Sequence, residues 1–191
     1  MTKGRLEAFS DGVLAIIITI MVLELRIPEG DTFQALRPMA FKFLSYIFSF
    51  LYVGIYWNNH HHLFQAVEHV NGKVLWANLH LLFWLSILPF ATSWMGENDF
   101  AKNPVALYGF ILLMCALAFN ILQKLCLDLE GKDSVIAKAL KSTLKEKVSA
   151  AIYISGIVLS FYFHVAAVIM YYLVALLWTI PDLRIEKNLE Q

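Results

Sequence analysis

Long apolar runs alternate with short polar connections along the chain, and their lengths predict an all-helical protein that spans a membrane. The first run is the shortest: twelve uncharged residues, Gly12 to Leu23, lie between Asp11 and Glu24. That is fewer than the roughly 20 apolar residues of a lipid-facing span, so this helix suits a bilayer best when neighbouring helices surround it. Leu36 to Phe64 is longer and rich in aromatics. It is entered through Pro38, a residue tolerated near a helix start because the missing N–H has no partner there. Val74 to Trp94 follows, with Pro89 as a kink candidate, and then Val105 to Cys126, just after Asn103-Pro104. From Val148 to Ile180 the chain runs 33 residues without a charge, more than one tilted helix requires and suited to two short ones. The division is set near Phe163 and His164. The pattern predicts six spans, approximately 5–26, 36–64, 74–95, 105–126, 147–163 and 164–181, in one domain over 1–191. No internal duplication and no separate soluble domain is visible.

Six crossings return both termini to one side, and the basic residues test the direction. Lys3, Arg5, Lys73, Lys124, Lys132, Lys138, Lys141, Lys145, Lys147, Arg184 and Lys187 fall on one side, and only Arg26, Arg37, Lys42 and Lys102 on the other. Both ends are expected to be cytoplasmic. Asp128 to Lys147 is the one sizeable polar connection. Its alternation of Lys with apolar residues suits a surface amphipathic helix, and a basic flank that only sets topology is the simpler reading.

Composition agrees with a bilayer: 59% of residues are hydrophobic and 16% charged, against about 25% charged in an average soluble domain. The formal net charge is zero, without the basic excess of nucleic-acid binding. Cys115 and Cys126 form neither a disulfide framework nor a C-x-x-C pair. Lys3 and Arg5 before an apolar stretch resemble a secretory signal. Asp11 interrupts that pattern and no small-x-small cleavage site precedes Glu24, so the segment is expected to stay in the mature protein.

With this topology, polar residues from several spans arrive at one cytoplasmic depth. They are Arg5, Ser10 and Asp11 of the first span, Asn58, Asn59, His60, His61 and His62 of the second, Trp76, Asn78 and His80 of the third, and Asn120 and Gln123 of the fourth. Polar groups in a bilayer protein must find partners inside the protein, which predicts a hydrogen-bonded layer clamping the inner helix ends. Its selected members are Arg5, Phe9, Ser10, Asp11, Asn58, His61 and His80. Arg5 and Phe9 share a face at i, i+4, whereas Asp11 lies about 120° from Arg5. Each must reach sideways, with the His-Asn group and His80 as natural receivers. Whether the layer only holds the bundle together or also gates it stays open. Consecutive histidines point about 100° apart and cannot all ligate one ion. Neither H-x-x-x-H nor H-E-x-x-H occurs, so no metal site is expected, although histidine protonation near neutral pH can tune such a layer.

Beyond Asp11, Ile16, Thr19 and Leu23 follow i, i+3, i+7 and form a stripe within about 60° of arc over roughly 10 Å of axis. Placed around a shared axis, this stripe makes an isoleucine ring, a threonine hydroxyl ring and a leucine ring. Apolar rings gate by dewetting, and hydroxyls replace part of an ion's water. Plain packing of Ile16 and Leu23, with Thr19 bonded back to the Ala15 carbonyl, explains the same spacing.

The R-x-x-x-F-S-D motif, here Arg5, Phe9, Ser10 and Asp11 followed by Gly12, resembles the transmembrane protein 175 family of endosomal and lysosomal potassium channels and their prokaryotic relatives. The run Trp57 to His61 is similar as well. The resemblance implies a channel without a T-V-G-Y-G carbonyl filter, whose first helix is central and lines the pore. It implies a hydrophobic constriction at Ile16, a selectivity layer at Thr19 and a second hydrophobic layer at Leu23. Animal members carry two six-span repeats, whereas this chain carries one. That resembles the prokaryotic form, a homotetramer in the plasma membrane. The resemblance thus implies a channel passing K+ and other monovalent cations, with no cofactor and no enzymatic activity.

A secondary transporter or proton-conducting protein is the alternative. Such proteins keep ionisable groups or broken helices near mid-membrane, and the candidates here are only Pro89, Gly156 and His164. A membrane enzyme would need converging nucleophiles, acids or ligands, and no motif supplies them.

Overall fold

A computed structural model of the chain describes residues 2–131, 134, 137 and 144–179. Among them the regular structure is helical: α1 (Lys3–Leu23), a 3-10 helix (Phe33–Met39), α2 (Ala40–Gln65), α3 (Gly72–Glu97), α4 (Lys102–Glu130), α5 (Leu144–Ser160) and α6 (His164–Thr179). The β-branched run Ile16-Ile17-Ile18-Thr19-Ile20 disfavours a helix mildly in water. In a bilayer, where each backbone N–H must be bonded within the protein, helix is the available solution. α1 to α4 are long and apolar enough to cross a membrane, and α6 is a shorter apolar helix.

The helix ends follow local chemistry. Asn71 caps α3 by accepting from the Val74 N–H at 3.0 Å, and Gly131 ends α4 at φ +87°, a conformation glycine adopts without strain. Between α3 and α4, Asp99 and Phe100 both take positive φ. Phe100 is buried there, its ring 5.7 Å from that of Phe41 and 6.4 Å from that of Phe48. Pro38 sits in the 3-10 helix rather than in the first turn of α2. The final apolar run breaks at residues 161–163, where the Phe163 N–H still reaches the Leu159 carbonyl at 2.7 Å. Half of the amphipathic stretch expected over 128–147 lies outside the described residues.

α3 and α4 form the central pair, each with half of its apolar stretch buried; α1 has 28%. α1 packs against α3 and α2 at one flank, while α5 and α6 pack against α4 and α2 at the other. The first helix is therefore only partly enclosed by its own chain. Any central place for it belongs to an assembly of copies.

The core between the helices is partly polar. Ser49 Oγ lies 2.6 Å from Thr92 Oγ1 and 2.9 Å from the Tyr108 hydroxyl, and the Tyr52 hydroxyl donates to the Tyr171 carbonyl. The Tyr171 ring fills a slot that Gly109 of α4 and Gly156 of α5 leave open; a Cβ at either glycine would overlap it. Gly156 is thus a packing residue in an unbroken helix, and Pro89 is buried inside a continuous α3. His164 is the exposed first residue of α6. None of the three marks a broken helix of the transporter kind.

Candidate ion pathway and inner polar layer

α1 divides the proposed chemistry between two faces. Its inward face, Leu6, Ser10, Leu14, Ile17 and Met21, is buried at the spacing of one helical stripe. Ser10 begins a buried relay in which its hydroxyl donates to the Leu6 carbonyl and accepts from Asn78 Nδ2, both at 2.9 Å. Asn78 Oδ1 in turn meets His60 Nε2 at 2.9 Å. Ser10, Asn78 and His60 are all at most 3% exposed, and this three-helix seam ties α1, α3 and α2 together. Beside it, the Trp57 indole donates to Asp11 Oδ1 at 3.0 Å on the surface. Lys3 Nζ reaches the Val67 carbonyl at 3.0 Å, which fixes the start of α1 to the loop between α2 and α3. Glu130 Oε1 accepts from the backbone N–H groups of Glu68 and His69, each at 2.9 Å, and so holds that loop to the end of α4.

The layer differs in membership from the expected one. Ser10 and Asp11 are in it, and Asp11 is received by an indole rather than by a histidine. His61 stacks on Trp57 with ring centroids 6.0 Å apart and bonds Gln65 on its own helix. His80 accepts from Trp84, also on its own helix, at 3.0 Å. Arg5 is exposed and Asn58 half-buried, and the side chain of neither makes a hydrogen bond or ion pair within the described residues. Phe9 is exposed on the outward face, against a groove with Leu75, Trp76 and Leu79. His60 and Asn78, which carry the relay, stand beside the residues selected from sequence. The signal that finds them is helical phase. Ser49, Tyr52, Tyr56 and His60 share the buried face of α2, and Ala77, Asn78, Leu81, Leu82 and Leu85 that of α3.

The other face of α1 is exposed. Ile16 is 59% exposed and Leu23 73%, and Thr19 lies between them, also exposed. The Thr19 hydroxyl donates to the Ala15 carbonyl at 2.9 Å, the back-bond that helical threonines commonly form. That bond uses the proton and leaves the oxygen lone pairs free, so what Thr19 offers outward is an acceptor, the polarity a cation requires.

Comparison with known proteins places this architecture. The family pattern described as endosomal/lysosomal potassium channel TMEM175 matches residues 5–89, which holds the R-x-x-x-F-S-D motif and the Ser10–Asn78–His60 relay. A protein of Chryseobacterium sp. (strain P1-3), named as a potassium channel, is 60% identical over 191 residues, all of both chains. The chain belongs to the TMEM175 family. A crystal structure described as a lysosomal potassium-selective channel TMEM175 homolog from Chamaesiphon minutus is similar, with a TM-score of 0.80 and 28% identity. It covers 94% of this chain and 97% of that one. The mouse relative, named as an endosomal/lysosomal proton channel TMEM175, is 31% identical over 131 residues, 62% of this chain and 26% of that protein. TMEM175 relatives are ion channels rather than enzymes, and this member is an all-helical, multi-pass membrane protein.

Proposed function

We propose that this chain forms a homotetrameric, potassium-preferring cation channel in a prokaryotic plasma membrane, with both termini cytoplasmic. Ions pass along the outward stripe of each α1: Ile16 and Leu23 close the path as hydrophobic rings, and Thr19 supplies an oxygen ring between them. The observation that carries this reading is that the stripe is turned away from the subunit's own core, on a helix of whose apolar stretch that core buries only 28%. The potassium-channel names of the Chryseobacterium protein and the Chamaesiphon structure support the permeant ion. A side-chain path lacks stacked carbonyl sites, so preference for K+ over Na+ is modest. The Ser10–Asn78–His60 relay holds α1 at the angle that presents the stripe.

Single cysteines at 16, 19 and 23 test the path. The native Cys115 and Cys126 are both fully buried, so the background is silent to charged thiol reagents. A water-borne, positively charged reagent should block current at all three positions. Labelling by lipid-soluble reagents alone would remove the stripe from the path. The proton-channel name of the mouse relative adds a second permeant species to examine. Flux of K+, Na+ and H+ into reconstituted liposomes ranks the three, and single-channel steps separate a channel from a carrier.

A further inference from the structure

Where the start of α3 meets the last turns of α4, a shallow groove opens on the surface. Trp76 and Ala77 of α3 and Ile121 and Leu125 of α4 form its apolar floor, and Asn71 and Lys73 stand at its polar end. Trp76 is 75% exposed and Ile121 46%. Trp76 lies four residues, about 6 Å, along α3 from Gly72, the shallow depth at which indoles gather in membrane proteins.

An apolar floor in a bilayer meets acyl chains whatever their headgroup, so the polar end decides the occupant. Lys73 and Lys124, the latter next to Leu125 in the chain, are both exposed. Among the described residues neither ammonium group makes a hydrogen bond or ion pair. Asn71 spends its side-chain oxygen on the Val74 N–H at 3.0 Å, which leaves its amide hydrogens to offer outward. The groove thus ends in donors and positive charge, with Asp128, one turn beyond Lys124, as the nearest acid along α4. A phosphodiester accepts from such donors and carries the matching charge, and lysines beside a spanning helix draw anionic headgroups. Free phosphate would leave the floor unused, whereas a lipid uses both parts.

We propose that this groove seats an anionic glycerophospholipid, with its phosphate held by Lys73, Lys124 adding charge, and an acyl chain lying on Trp76, Ile121 and Leu125. The site is separate from the α1 stripe and does not depend on its role; only the choice of the cytoplasmic leaflet rests on the proposed topology. A lipid seated there bridges the start of α3 and the end of α4.

The full chain in vesicles of phosphatidylcholine with a rising share of phosphatidylglycerol tests this, with acyl-chain bromines on one lipid or the other quenching tryptophan fluorescence. The fraction due to Trp76 is the one that Trp76→Phe removes. Phosphatidylglycerol should quench it at a roughly tenfold lower mole fraction than phosphatidylcholine. Lys73→Gln should cut that preference by roughly fivefold, the worth of one lysine near an anionic surface. Lys124→Gln should cut it less, and Lys73→Arg should keep it. The vesicles carry phosphatidylglycerol in both leaflets, so the result does not turn on the direction of insertion, and ion flux in the same vesicles tests the channel reading separately. Inorganic phosphate replacing chloride at equal ionic strength should leave the quenching unchanged; displacement of the lipid by it would overturn the proposal in favour of a free-anion site. Equal quenching of Trp76 by the two lipids, or an undiminished preference when Lys73→Gln and Lys124→Gln are combined, would also overturn it. So would a Trp76 that neither lipid quenches, which would mean that a neighbouring copy covers the groove.

Discussion

Ile16 and Ile17 are chain neighbours of identical composition, about 100° apart around α1. Ile17 is 2% exposed in the hydrophobic core, and Ile16 is 59% exposed. The contrast extends along the helix: Leu6, Ser10, Leu14 and Met21 go with Ile17, and Phe9, Thr19 and Leu23 with Ile16. One face of α1 holds the subunit together, and the other is left for whatever the subunit meets. A single helix can serve both ends because the relay through Asn78 and His60 fixes its rotation, and a channel that places its constriction on α1 needs that rotation fixed.

The sharpest way to break the contrast is to make the same change at both positions. Ile17→Asn puts an unpartnered amide into the core and should destabilise the fold by about 3 kcal/mol or more. It should be seen as loss of folded protein by size-exclusion chromatography in detergent. Ile16→Asn should leave the chromatographic profile and Tm close to the parent's, while raising basal current and lowering the K+/Na+ permeability ratio. Equal destabilisation by the two changes would erase the distinction between the faces, and an unchanged permeability ratio in Ile16→Asn would detach the outward face from conduction.

Next in size is the relay. Asn78→Ala leaves both Ser10 Oγ and His60 Nε2 short of a partner in a buried seam, and should cost about 1–3 kcal/mol, measured as a lower denaturant midpoint. His80→Ala, on the same helix but bonded only to Trp84, should cost clearly less. Reversal of that order would restore His80 to the layer in place of Asn78.

This pair of histidine-bearing helices also shows how far the chain alone could be read. Apolar run lengths were enough for the helical architecture, and the turn at residues 161–163 falls where the uncharged run from Val148 to Ile180 had to divide. That polar residues of α1, α2 and α3 meet one another was legible too, because a bilayer leaves such groups only one another as partners. Which of them face inward was not legible from depth, since His60, His61 and His62 share a depth and differ only in direction. Direction follows the phase of the buried stripe, and Ser49, Tyr52 and Tyr56, polar enough to pass for surface residues, hide that phase on α2. The mild exposure of α1 was hidden for a different reason. A short apolar run says that a helix needs neighbours, and it does not say whether those neighbours belong to the same chain.

A smaller effect is expected at Thr19. Its side chain is exposed and hydrogen-bonds its own helix, so Thr19→Val should leave stability within about 0.5 kcal/mol of the parent, as surface changes usually do. The K+/Na+ ratio from bi-ionic reversal potentials should fall by roughly threefold, the equivalent of one weak oxygen contact of ~0.6 kcal/mol. Thr19→Ser keeps the oxygen and should keep the ratio. A ratio kept in the Val variant and lost in the Ser variant would trace the preference to the methyl group's packing and not to the hydroxyl.

The smallest effect is expected where the two faces meet. Trp57 and Asp11 are both exposed, and the indole donates to the carboxylate across the α1–α2 seam at 3.0 Å. Water competes for both groups at such a site, so Trp57→Phe should cost under about 1 kcal/mol, read as a Tm shift of a few degrees at most. It keeps a flat ring against His61, whose stacking at an interplanar angle of 11° does not need the indole N–H. A larger loss in membranes than in detergent-solubilised single subunits would mean that the Trp57–Asp11 bond is enclosed when copies assemble, and would extend the binding face of α1 from the Ile16 stripe round to Asp11.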